Sequence, residues 1–272
     1  MLTFPNAKIN IGLNITERRE DGYHNIETVF YPIDLCDILE VVEGKNRDYS
    51  FHPYGISIDG NIENNLITKA FRLLKKDFNI PPIEVYFRKN IPFGAGLGGG
   101  SADASFMLKM LNEMFALQLS TAELENYASK LGADCPFFIQ NKPMFAGGIG
   151  NVFQYVNISL KDYYLLLVKP NVYVSTKDAY SGVRPQKPTV SLLKTIENTP
   201  ITEWKNVIKN DFEETVFPKY PIIEKTKNDL YLHGALYASM SGSGSSVYGI
   251  FENVINDDLK KYFTNSYAIK LG

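Results

Sequence analysis

The stretch "PFGAGLGGGSADAS", residues 92–105, carries five glycines in the seven positions from Gly94 to Gly100. Glycine loses more backbone freedom on folding than any other residue, so such a cluster indicates a backbone that approaches something closely. The alternating apolar residues before the stretch predict a strand, and the apolar spacing after it predicts a helix. A glycine-rich turn that opens a helix presents unpaired N–H groups and the positive end of the helix dipole, which together bind anions. We therefore predict a phosphate loop, because a strand–helix turn alone needs only one or two glycines.

Two other glycine motifs fit this stretch less well. Gly94, Gly96 and Gly99 match the dinucleotide fingerprint GxGxxG, but that motif expects an acidic residue ~20 positions further on, after another strand. Here that position falls within or just after the predicted helix. A Walker A loop ends in Gly-Lys-Ser/Thr, whereas this loop ends in Gly-Gly-Ser. Both motifs are disfavoured, and Ser101 at the start of the helix is left to cap it or to contact a phosphate or magnesium.

Composition and charge exclude several function classes. The 272 residues are 44% hydrophobic and 21% charged, as in a soluble globular protein with a full core, and they permit one large domain or two ordinary ones. The net charge of −2 offers no global field for nucleic acid or an anionic membrane. No apolar run approaches the ~20 residues of a spanning helix, and we find no secretory signal. Cys36 and Cys135 form no CxxC and the three histidines are scattered, so we predict a cytoplasmic protein without a zinc site.

The first half of the chain predicts both strands and helices. Apolar and polar residues alternate in "AKINIGLNI", which predicts a half-buried strand whose polar face carries Lys8 and Asn10. Residues 61–78 predict a helix that begins with capping asparagines. Ser120 and Glu123 form a capping-box pattern that opens another helix.

The second half of the chain suggests a separate domain. We place the domain change near residue 158. Residues 182–200 contain prolines and lysines and predict a helix-poor stretch, whereas helical segments are predicted near 203–217 and 221–232. The strand-like segments "ALYASM" and "SVYGIF" then flank the loop "SGSGS". Strands and helices occur in runs rather than in strict alternation, which favours an α+β protein.

Several of these segments together resemble the GHMP kinases, a family of small-molecule kinases that includes galactokinase, homoserine kinase and mevalonate kinase. The glycine loop resembles their phosphate loop. The segments "NAKINIGLNITERREDGYHNIETVFYPIDLCDILEV", "NNLI", "LGADCPFFI", "FAGGIG" and "SGSGSSVYGIFE" resemble, in the expected order, the branch that acts on 4-diphosphocytidyl-2-C-methyl-D-erythritol. The resemblance spans nearly the full chain. It implies a two-domain α+β GHMP kinase fold, with an N-terminal ATP-binding domain over 1–158, a C-terminal ferredoxin-like domain over 159–272, and the active site in the cleft between them.

The resemblance also implies a reaction. The expected activity is ATP-dependent phosphorylation of the C2 hydroxyl of 4-diphosphocytidyl-2-C-methyl-D-erythritol, a step of the non-mevalonate (methylerythritol phosphate) route to isoprenoid precursors. ATP and Mg²⁺ are the expected cofactors, with Ser101 as a candidate contact of magnesium. We expect no nucleic acid and no membrane as partners, and a monomer or weak homodimer.

Roles of individual residues follow from the same resemblance. Lys8 and Asp134 correspond to the catalytic lysine and aspartate of the family. Asp134 would orient or deprotonate the acceptor hydroxyl, and Lys8 would keep Asp134 ionised and offset charge on the γ-phosphate. Without the resemblance, Lys8 would be an ordinary surface lysine and Asp134 a cap before the turn at Pro136. The residues expected to bind ATP are Asn65, Lys89, Pro92, Phe93, Gly94, Ala95, Gly96, Leu97, Gly98, Gly99, Gly100, Ser101 and Ala102.

The acceptor substrate is expected to contact a separate group of residues. Tyr23 and His24 correspond to positions that hold the cytosine ring, and Thr176 and Tyr180 line the same pocket, with tyrosine in place of phenylalanine. The full set is Asn10, Tyr23, His24, Thr176, Tyr180, Gly242 and Gly244. Two alternatives stay open: another kinase of the superfamily that acts on homoserine, mevalonate or a sugar, and an inactive nucleotide- or sugar-binding sensor on the same fold. Tyr23 and His24 argue against the first, and the presence of both Lys8 and Asp134 argues against the second.

Overall fold

The computed structural model describes residues 1–45, 48–58 and 60–272. Within these ranges the chain mixes strands and helices, as the predicted α+β class requires. The strands are β1 (Leu2–Thr3), β2 (Asn6–Arg18), β3 (His24–Cys36), β4 (Ile38–Glu43), β5 (Tyr49–Gly55), β6 (Ile83–Lys89), β7 (Met144–Gly147), β8 (Val152–Tyr155), β9 (Tyr164–Val168), β10 (Tyr237–Met240), β11 (Val247–Phe251) and β12 (Ser266–Lys270). The helices are α1 (Leu66–Asp77), α2 (Gly99–Met114), α3 (Thr121–Ser129), α4 (Phe137–Gln140), α5 (Thr176–Tyr180), α6 (Leu192–Asn198), α7 (Trp204–Val207), α8 (Glu213–Val216), α9 (Pro221–Leu232) and α10 (Asp257–Tyr262).

The chain forms two compact units that are interleaved in sequence. The first unit comprises Met1–Ala7, Leu35–Phe93 and Gly98–Lys142. The second comprises Lys8–Asp34, Gly94–Leu97 and Pro143–Gly272. The division of the sequence at residue 158 stays a prediction, and each unit has a core of its own.

The first unit packs helices on one sheet. Its strands have the order β1-β4-β6-β5, antiparallel except for the parallel pair β5 and β6. The apolar faces of α1 and α2 pack on this sheet through fully buried side chains such as Phe71, Leu74 and Leu108. Asn65 caps α1, its Oδ1 accepting a hydrogen bond from the Ile67 backbone N–H at 2.8 Å, as the asparagines before this helix predict. Burial of these apolar faces fixes the position of α2, whose N-terminus directly follows the glycine loop.

The second unit contains an antiparallel sheet of order β10-β11-β9-β12. A further sheet has the order β2-β3-β7-β8. The predicted strand over residues 7–15 is confirmed as part of β2, but the strand is not half-buried, because every residue from Asn6 to Leu13 is buried. Its polar face is therefore covered by other parts of the protein.

Two predictions about the second half need correction. Residues 182–200 are predicted to be helix-poor but contain the 7-residue helix α6, which Ser191 caps through its side chain. The segment 203–217 is not continuously helical. Its middle runs alongside β2, where the Leu13 backbone donates to the Lys209 carbonyl at 2.9 Å and accepts from the Asp211 N–H at 2.8 Å. This pairing replaces the hydrogen bonds of a helix and leaves only the short α7 and α8.

The structure also bears on membrane association and on the cysteines. In the described ranges, no helix combines the length and the apolar character that crossing a bilayer requires. Cys36 and Cys135 are not joined by a disulfide. Burial raises the pKa of the Cys135 thiol to about 11, which keeps this thiol protonated and unreactive near neutral pH.

Candidate active site

The glycine loop between β6 and α2 uses the left-handed region of backbone space. Gly94, Gly96 and Gly98 have φ values of +55°, +74° and +69°, which side chains rarely allow. Gly98 is the N-cap of α2, and no side chain caps this helix, so the prediction that Ser101 could cap it is wrong. The N-terminus of α2 therefore lacks a side-chain cap and keeps the positive end of the helix dipole, which favours an anion. That the loop binds phosphate stays a prediction.

Three of the five glycines are explained by contacts within the protein. A Cβ atom on any of them would come too close to another part of its own unit, namely backbone at Gly96 and side chains at Gly94 and Gly99. The clashes would be 2.6 Å from Gly94 to the Tyr173 ring, 1.9 Å from Gly96 to the Ser241 carbonyl oxygen and 2.9 Å from Gly99 to Ile91 Cγ2. The excess of glycines is therefore not itself an argument for phosphate binding. The uncapped N-terminus of α2 is the feature that supports it.

Lys8 and Asn10 lie side by side on the buried polar face of β2. Both side chains are 3% exposed, so Lys8 is not the ordinary surface lysine of the alternative prediction. The Lys8 ammonium donates to Asn10 Oδ1 at 2.5 Å and lies 4.5 Å from the centre of the Phe30 ring. Asn10 Nδ2 donates in turn to Thr28 Oγ1 at 3.0 Å. These hydrogen bonds fix the direction of the Lys8 ammonium group. A lysine that acts on a phosphoryl group needs such a fixed direction.

The second glycine-rich loop, residues 241–246, contacts the first within the second unit. Ser241 Oγ donates to the Gly96 carbonyl at 2.8 Å and accepts the Asn10 backbone N–H at 3.2 Å. Gly242 lies beside Asn10, since a Cβ on Gly242 would stand 3.1 Å from Asn10 Oδ1. Gly242 and Gly244 have φ values of +55° and +86°. The structure therefore places Lys8, Asn10 and Gly242 close to Gly96. A site that uses all four residues requires this proximity.

Asp134 lies in the first unit, in the turn between α3 and α4. It is half-buried, and the N-cap of α4 is Pro136, so the alternative role of Asp134 as a helix cap is wrong. The turn is held by Ser105 Oγ, which donates to the Cys135 carbonyl at 2.7 Å and to the Ser101 carbonyl at 2.9 Å. One hydroxyl of α2 therefore joins the segment that carries Asp134 to the first turn of the helix.

A cavity of about 520 Å³ opens in the first unit beside the start of α2. Asn65 lines it at the start of α1, Phe93 at the glycine loop, and Gly100 and Asp103 on α2. The Asn65 side-chain oxygen is used as a helix cap, which leaves its amide N–H groups for a ligand. The cavity combines apolar walls with a few polar groups, as nucleoside pockets do.

Lys89 has an environment that its predicted role did not anticipate. Its ammonium is 1% exposed, bonded to Asp37 Oδ2 at 2.5 Å and to Asp103 Oδ2 at 2.8 Å, and stands 5.2 Å from the centre of the Phe93 ring. Gly99 leaves room for it, because a Cβ at Gly99 would stand 3.0 Å from Lys89 Nζ. Lys89 therefore supports the wall of the cavity, and a direct contact with ATP stays a prediction.

Two of the four residues expected to hold the cytosine, His24 and Tyr180, contact each other. The His24 ring stacks on Tyr180 of α5, with ring centres 4.8 Å apart and planes 24° apart. Tyr180 in turn meets Phe212 edge-on at 4.7 Å. Burial first, and Arg18 second, lower the pKa of His24, so its imidazole is neutral near pH 7 and offers one donor and one acceptor. Tyr23 is 62% exposed and Thr176 is also exposed, so both are accessible to a ligand.

Sequence reasoning missed three residues that shape these sites. Asp37 and Asp103 hold Lys89, and Ser241 links the two glycine loops. No spacing or motif marks Asp37, because its partners come from strands and helices far away in sequence. Asp103 and Ser241 lie next to residues of the two glycine loops that the sequence indicates as functional. The Asp103 carboxylate, on the side of α2 that the sequence predicts to be buried, was a signal that could have identified this residue.

The comparisons with known proteins agree with this geometry. Models of the GHMP kinase N-terminal domain and the GHMP kinase C-terminal domain match residues 65–142 and 192–265. A crystal structure of 4-(cytidine 5'-diphospho)-2C-methyl-D-erythritol kinase superposes with a TM-score of 0.81 and 29% identity, covering 100% of this chain and 99% of the other. A homoserine kinase from Cytophaga hutchinsonii shares the fold at a TM-score of 0.68, with 15% identity and coverage of 98% and 95%. The class of protein is that of the GHMP kinases.

Relatives with higher identity narrow the class. A Bacteroides fragilis protein named 4-diphosphocytidyl-2-C-methyl-D-erythritol kinase is 59% identical, over 99% of this chain and 100% of its own length. A Porphyromonas gingivalis protein of the same name is 45% identical over 92% of each chain. The chain belongs to the family of 4-diphosphocytidyl-2-C-methyl-D-erythritol kinases.

The contact between the glycine loops can be tested with two alanine substitutions. Gly96→Ala would force a Cβ into the Ser241 carbonyl at a φ of +74°, so we expect it to lower the free energy of unfolding by at least ~2 kcal/mol. Gly100→Ala is the matched control, since its Cβ would only touch Leu66 at 3.6 Å, and we expect a change within ~1 kcal/mol. Urea unfolding followed by circular dichroism measures both. Equal midpoints for Gly96→Ala and the wild type would contradict the assignment.

Proposed function

We propose that this chain transfers the γ-phosphoryl group of ATP to the C2 hydroxyl of 4-diphosphocytidyl-2-C-methyl-D-erythritol, in the non-mevalonate route to isoprenoid precursors. The observation that carries the proposal is near-full-length similarity, at 54–59% identity, to kinases of that name. The hydrogen-bonded Lys8, the half-buried Asp134 and the His24–Tyr180 pair support it from the geometry.

The reaction needs a proton acceptor and stabilisation of charge. The C2 oxygen attacks the γ-phosphorus, a new P–O bond forms, and the bond to the βγ-bridging oxygen breaks as ADP leaves with the electron pair. We assign Asp134 to accept the hydroxyl proton. We assign Lys8 to offset charge on the transferred group, because Asn10 and the Gly96 carbonyl, 3.4 Å from the ammonium, fix the direction of its N–H bonds.

We assign the nucleotide to the first turn of α2 and to the cavity beside it. The phosphates would take the uncapped N–H groups that follow Gly98, and the adenosine would fill the cavity lined by Asn65 and Phe93. Acceptor phosphates would meet the loop of Gly242 and Gly244.

Magnesium would neutralise phosphate charge during transfer. Among the residues that the structure describes, three or more His, Cys, Asp or Glu side chains nowhere gather into a group that could hold a metal. Mg²⁺ takes many of its ligands from water and substrate phosphates, so its site needs few protein ligands. We assign the Ser101 hydroxyl, in the first turn of α2, as its protein contact.

The cytosine ring would be held by Tyr23, His24, Thr176 and Tyr180. A neutral imidazole can pair with the polar edge of a base, and an aromatic ring can stack on its face. This group of residues favours a cytidyl substrate over homoserine, mevalonate or a sugar, which have no base to hold. An inactive sensor would have no use for a buried lysine oriented by hydrogen bonds to Asn10 and the Gly96 carbonyl. We further propose that the enzyme works in the cytoplasm as a monomer or weak homodimer, without nucleic acid or membrane partners.

The role of Asp134 can be tested by Asp134→Asn, which keeps the shape of the side chain and removes the proton acceptor. General-base catalysis contributes about 10²- to 10⁴-fold, so we expect kcat to fall by that factor while the Kd of a non-hydrolysable ATP analogue changes little. The exposed Asp258→Asn serves as the control and should keep the wild-type kcat. A turnover assay with the diphosphocytidyl substrate, and with homoserine and mevalonate for comparison, measures these effects. If Asp134→Asn keeps more than about half of the wild-type kcat, the proposed role of Asp134 is wrong.

The cytidyl assignment can be tested through His24. His24→Ala leaves polar edge atoms of the base unpaired, so we expect kcat/KM for the diphosphocytidyl substrate to fall about 10- to 100-fold with KM for ATP nearly unaltered. His52→Ala is a matched control, because His52 stacks on Tyr86 at 4.7 Å much as His24 stacks on Tyr180. CMP and CDP should compete with the substrate in the wild type and compete more weakly in His24→Ala. If CMP and CDP do not compete in the wild type, the cytidyl assignment is wrong and only the assignment to the broader kinase class remains.

A further inference from the structure

Asn210 is a buried asparagine whose amide is fully used in hydrogen bonds to the backbone. The residue is 1% exposed, and its Nδ2 donates to the Met240 carbonyl and to the Gly242 carbonyl, each at 2.8 Å. Its Oδ1 accepts the Phe212 N–H at 3.0 Å. Only one orientation of the amide satisfies all three bonds, because the two carbonyls need the nitrogen and the N–H needs the oxygen. The side chain of Asn210 therefore has a fixed direction.

The backbone around Asn210 is also held in place. The Leu13 carbonyl accepts the Asp211 N–H at 2.8 Å, and Asp211 Oδ2 accepts the Ile15 N–H at 2.7 Å. Leu13 and Ile15 both belong to β2. Asn210 therefore joins β2, the strand of the lysine assigned to catalysis, to the second glycine-rich loop, residues 241–246.

The hydrogen bond to the Gly242 carbonyl also sets the direction of the next N–H group. The peptide bond between Gly242 and Ser243 is trans. In a trans peptide the C=O and N–H bonds point in opposite directions. Because the Gly242 carbonyl points to the buried Asn210, the Ser243 N–H points away from it. Nowhere in the part of the chain that the structure describes does a group accept a hydrogen bond from this N–H.

Ser243 lies where the second glycine-rich loop is accessible to a ligand. It is half-buried, whereas the other five residues of the loop are buried. Its neighbour Gly242 has a φ of +55° and lies beside Asn10, whose Oδ1 accepts a hydrogen bond from the Lys8 ammonium. Unpaired N–H groups in such a glycine turn bind anions. The Ser243 N–H is therefore a donor for an anion close to Lys8.

We propose that Asn210 is a positioning residue, which aims the Ser243 N–H at a phosphate of the diphosphocytidyl substrate. The inference rests on the proposed function, because it takes the loop of Gly242 and Gly244 to be the site of the acceptor phosphates. Asn210 itself does not contact the substrate. It holds two carbonyls on the side away from the ligand, so the donor is already in place when the phosphate binds.

Asn210→Leu tests the inference, because leucine has nearly the same shape and no hydrogen-bonding group. Without the amide, the peptide between Gly242 and Ser243 loses the bond that fixes its plane. A hydrogen bond to a charged group is strong, so we expect the Ki of CDP against the diphosphocytidyl substrate, at saturating ATP, to rise about 10- to 100-fold. Cytidine has no phosphate, so its Ki should stay within about twofold of the wild type. The KM for ATP should be nearly unaltered.

Asn112→Leu is the matched control. Asn112 also fixes a loop through its amide, since its Nδ2 donates to the Leu119 carbonyl at 3.1 Å and its Oδ1 accepts the Leu119 N–H at 2.9 Å. Both substitutions should lower the urea midpoint, because each leaves backbone groups unpaired. Only Asn210→Leu should change the Ki of CDP relative to that of cytidine, which a merely structural role would not do.

A measurement on the wild type keeps the inference testable if Asn210→Leu fails to fold. Labelling glycine with ¹³C at the carbonyl and serine with ¹⁵N selects the three Gly–Ser peptides of the chain, which end at Ser101, Ser243 and Ser245. The amide proton resonance of Ser243 should move downfield when CDP binds, because a phosphate oxygen accepts a hydrogen bond from it. Cytidine should move this resonance much less.

Three results would overturn the inference alone. The first is a wild-type Ki of CDP in a folded Asn210→Leu variant. The second is an equal rise in the Ki of CDP and of cytidine in that variant. The third is a Ser243 amide resonance that bound CDP leaves in place. A wild-type protein that CDP does not inhibit and that does not phosphorylate the diphosphocytidyl substrate would overturn the proposed function together with the inference.

Discussion

The candidate site depends on one close contact, between the carbonyl of Gly96 and the side chain of Ser241. This carbonyl accepts hydrogen bonds from Ser241 Oγ at 2.8 Å and from the Lys8 ammonium at 3.4 Å. Ser241 Oγ also accepts the Asn10 N–H, so one hydroxyl connects a strand and two loops. Only glycine at position 96 permits this approach, and without it the ammonium of Lys8 would lose one of the partners that orient it. Orientation of a charged group by fixed dipoles is what makes it effective in phosphoryl transfer.

The local elements were predictable where a single physical cause dominates. The alternation along β2 and the cap of α1 at Asn65 depend on neighbouring residues alone, and the capping box of Ser120 and Glu123 is present as predicted. The segment around Asn210 was not predictable in this way. Its backbone pairs with Leu13, nearly two hundred residues earlier, and that distant partner outweighs its helical propensity.

The site was predictable by resemblance more than by physical reasoning from the residues. The five glycines suggest a phosphate loop, yet neighbouring protein atoms also crowd Gly94, Gly96 and Gly99, and the Ser241 backbone requires glycine at position 96. Lys89 is predicted to contact ATP, which stays a prediction, and the structure shows that two carboxylates enclose it that no spacing in the sequence brings together. The glycine motif indicates that the backbone lies close to other atoms. Only the structure identifies those atoms.

The interleaving of the two units has a consequence for biosynthesis. Lys8 and Asn10 leave the ribosome well before Ser241, which binds the Asn10 backbone and lies 231 residues later in the chain. Tyr248, whose hydroxyl donates to the Asn10 carbonyl at 2.8 Å, comes later still. Because chains emerge at about 5–20 residues per second, the lysine segment waits for many seconds before its partners exist. During translation the nascent chain therefore holds a strand that has to be kept from other contacts, and the hydrogen bonds that hold the Asn10 backbone are complete only after Tyr248 has emerged.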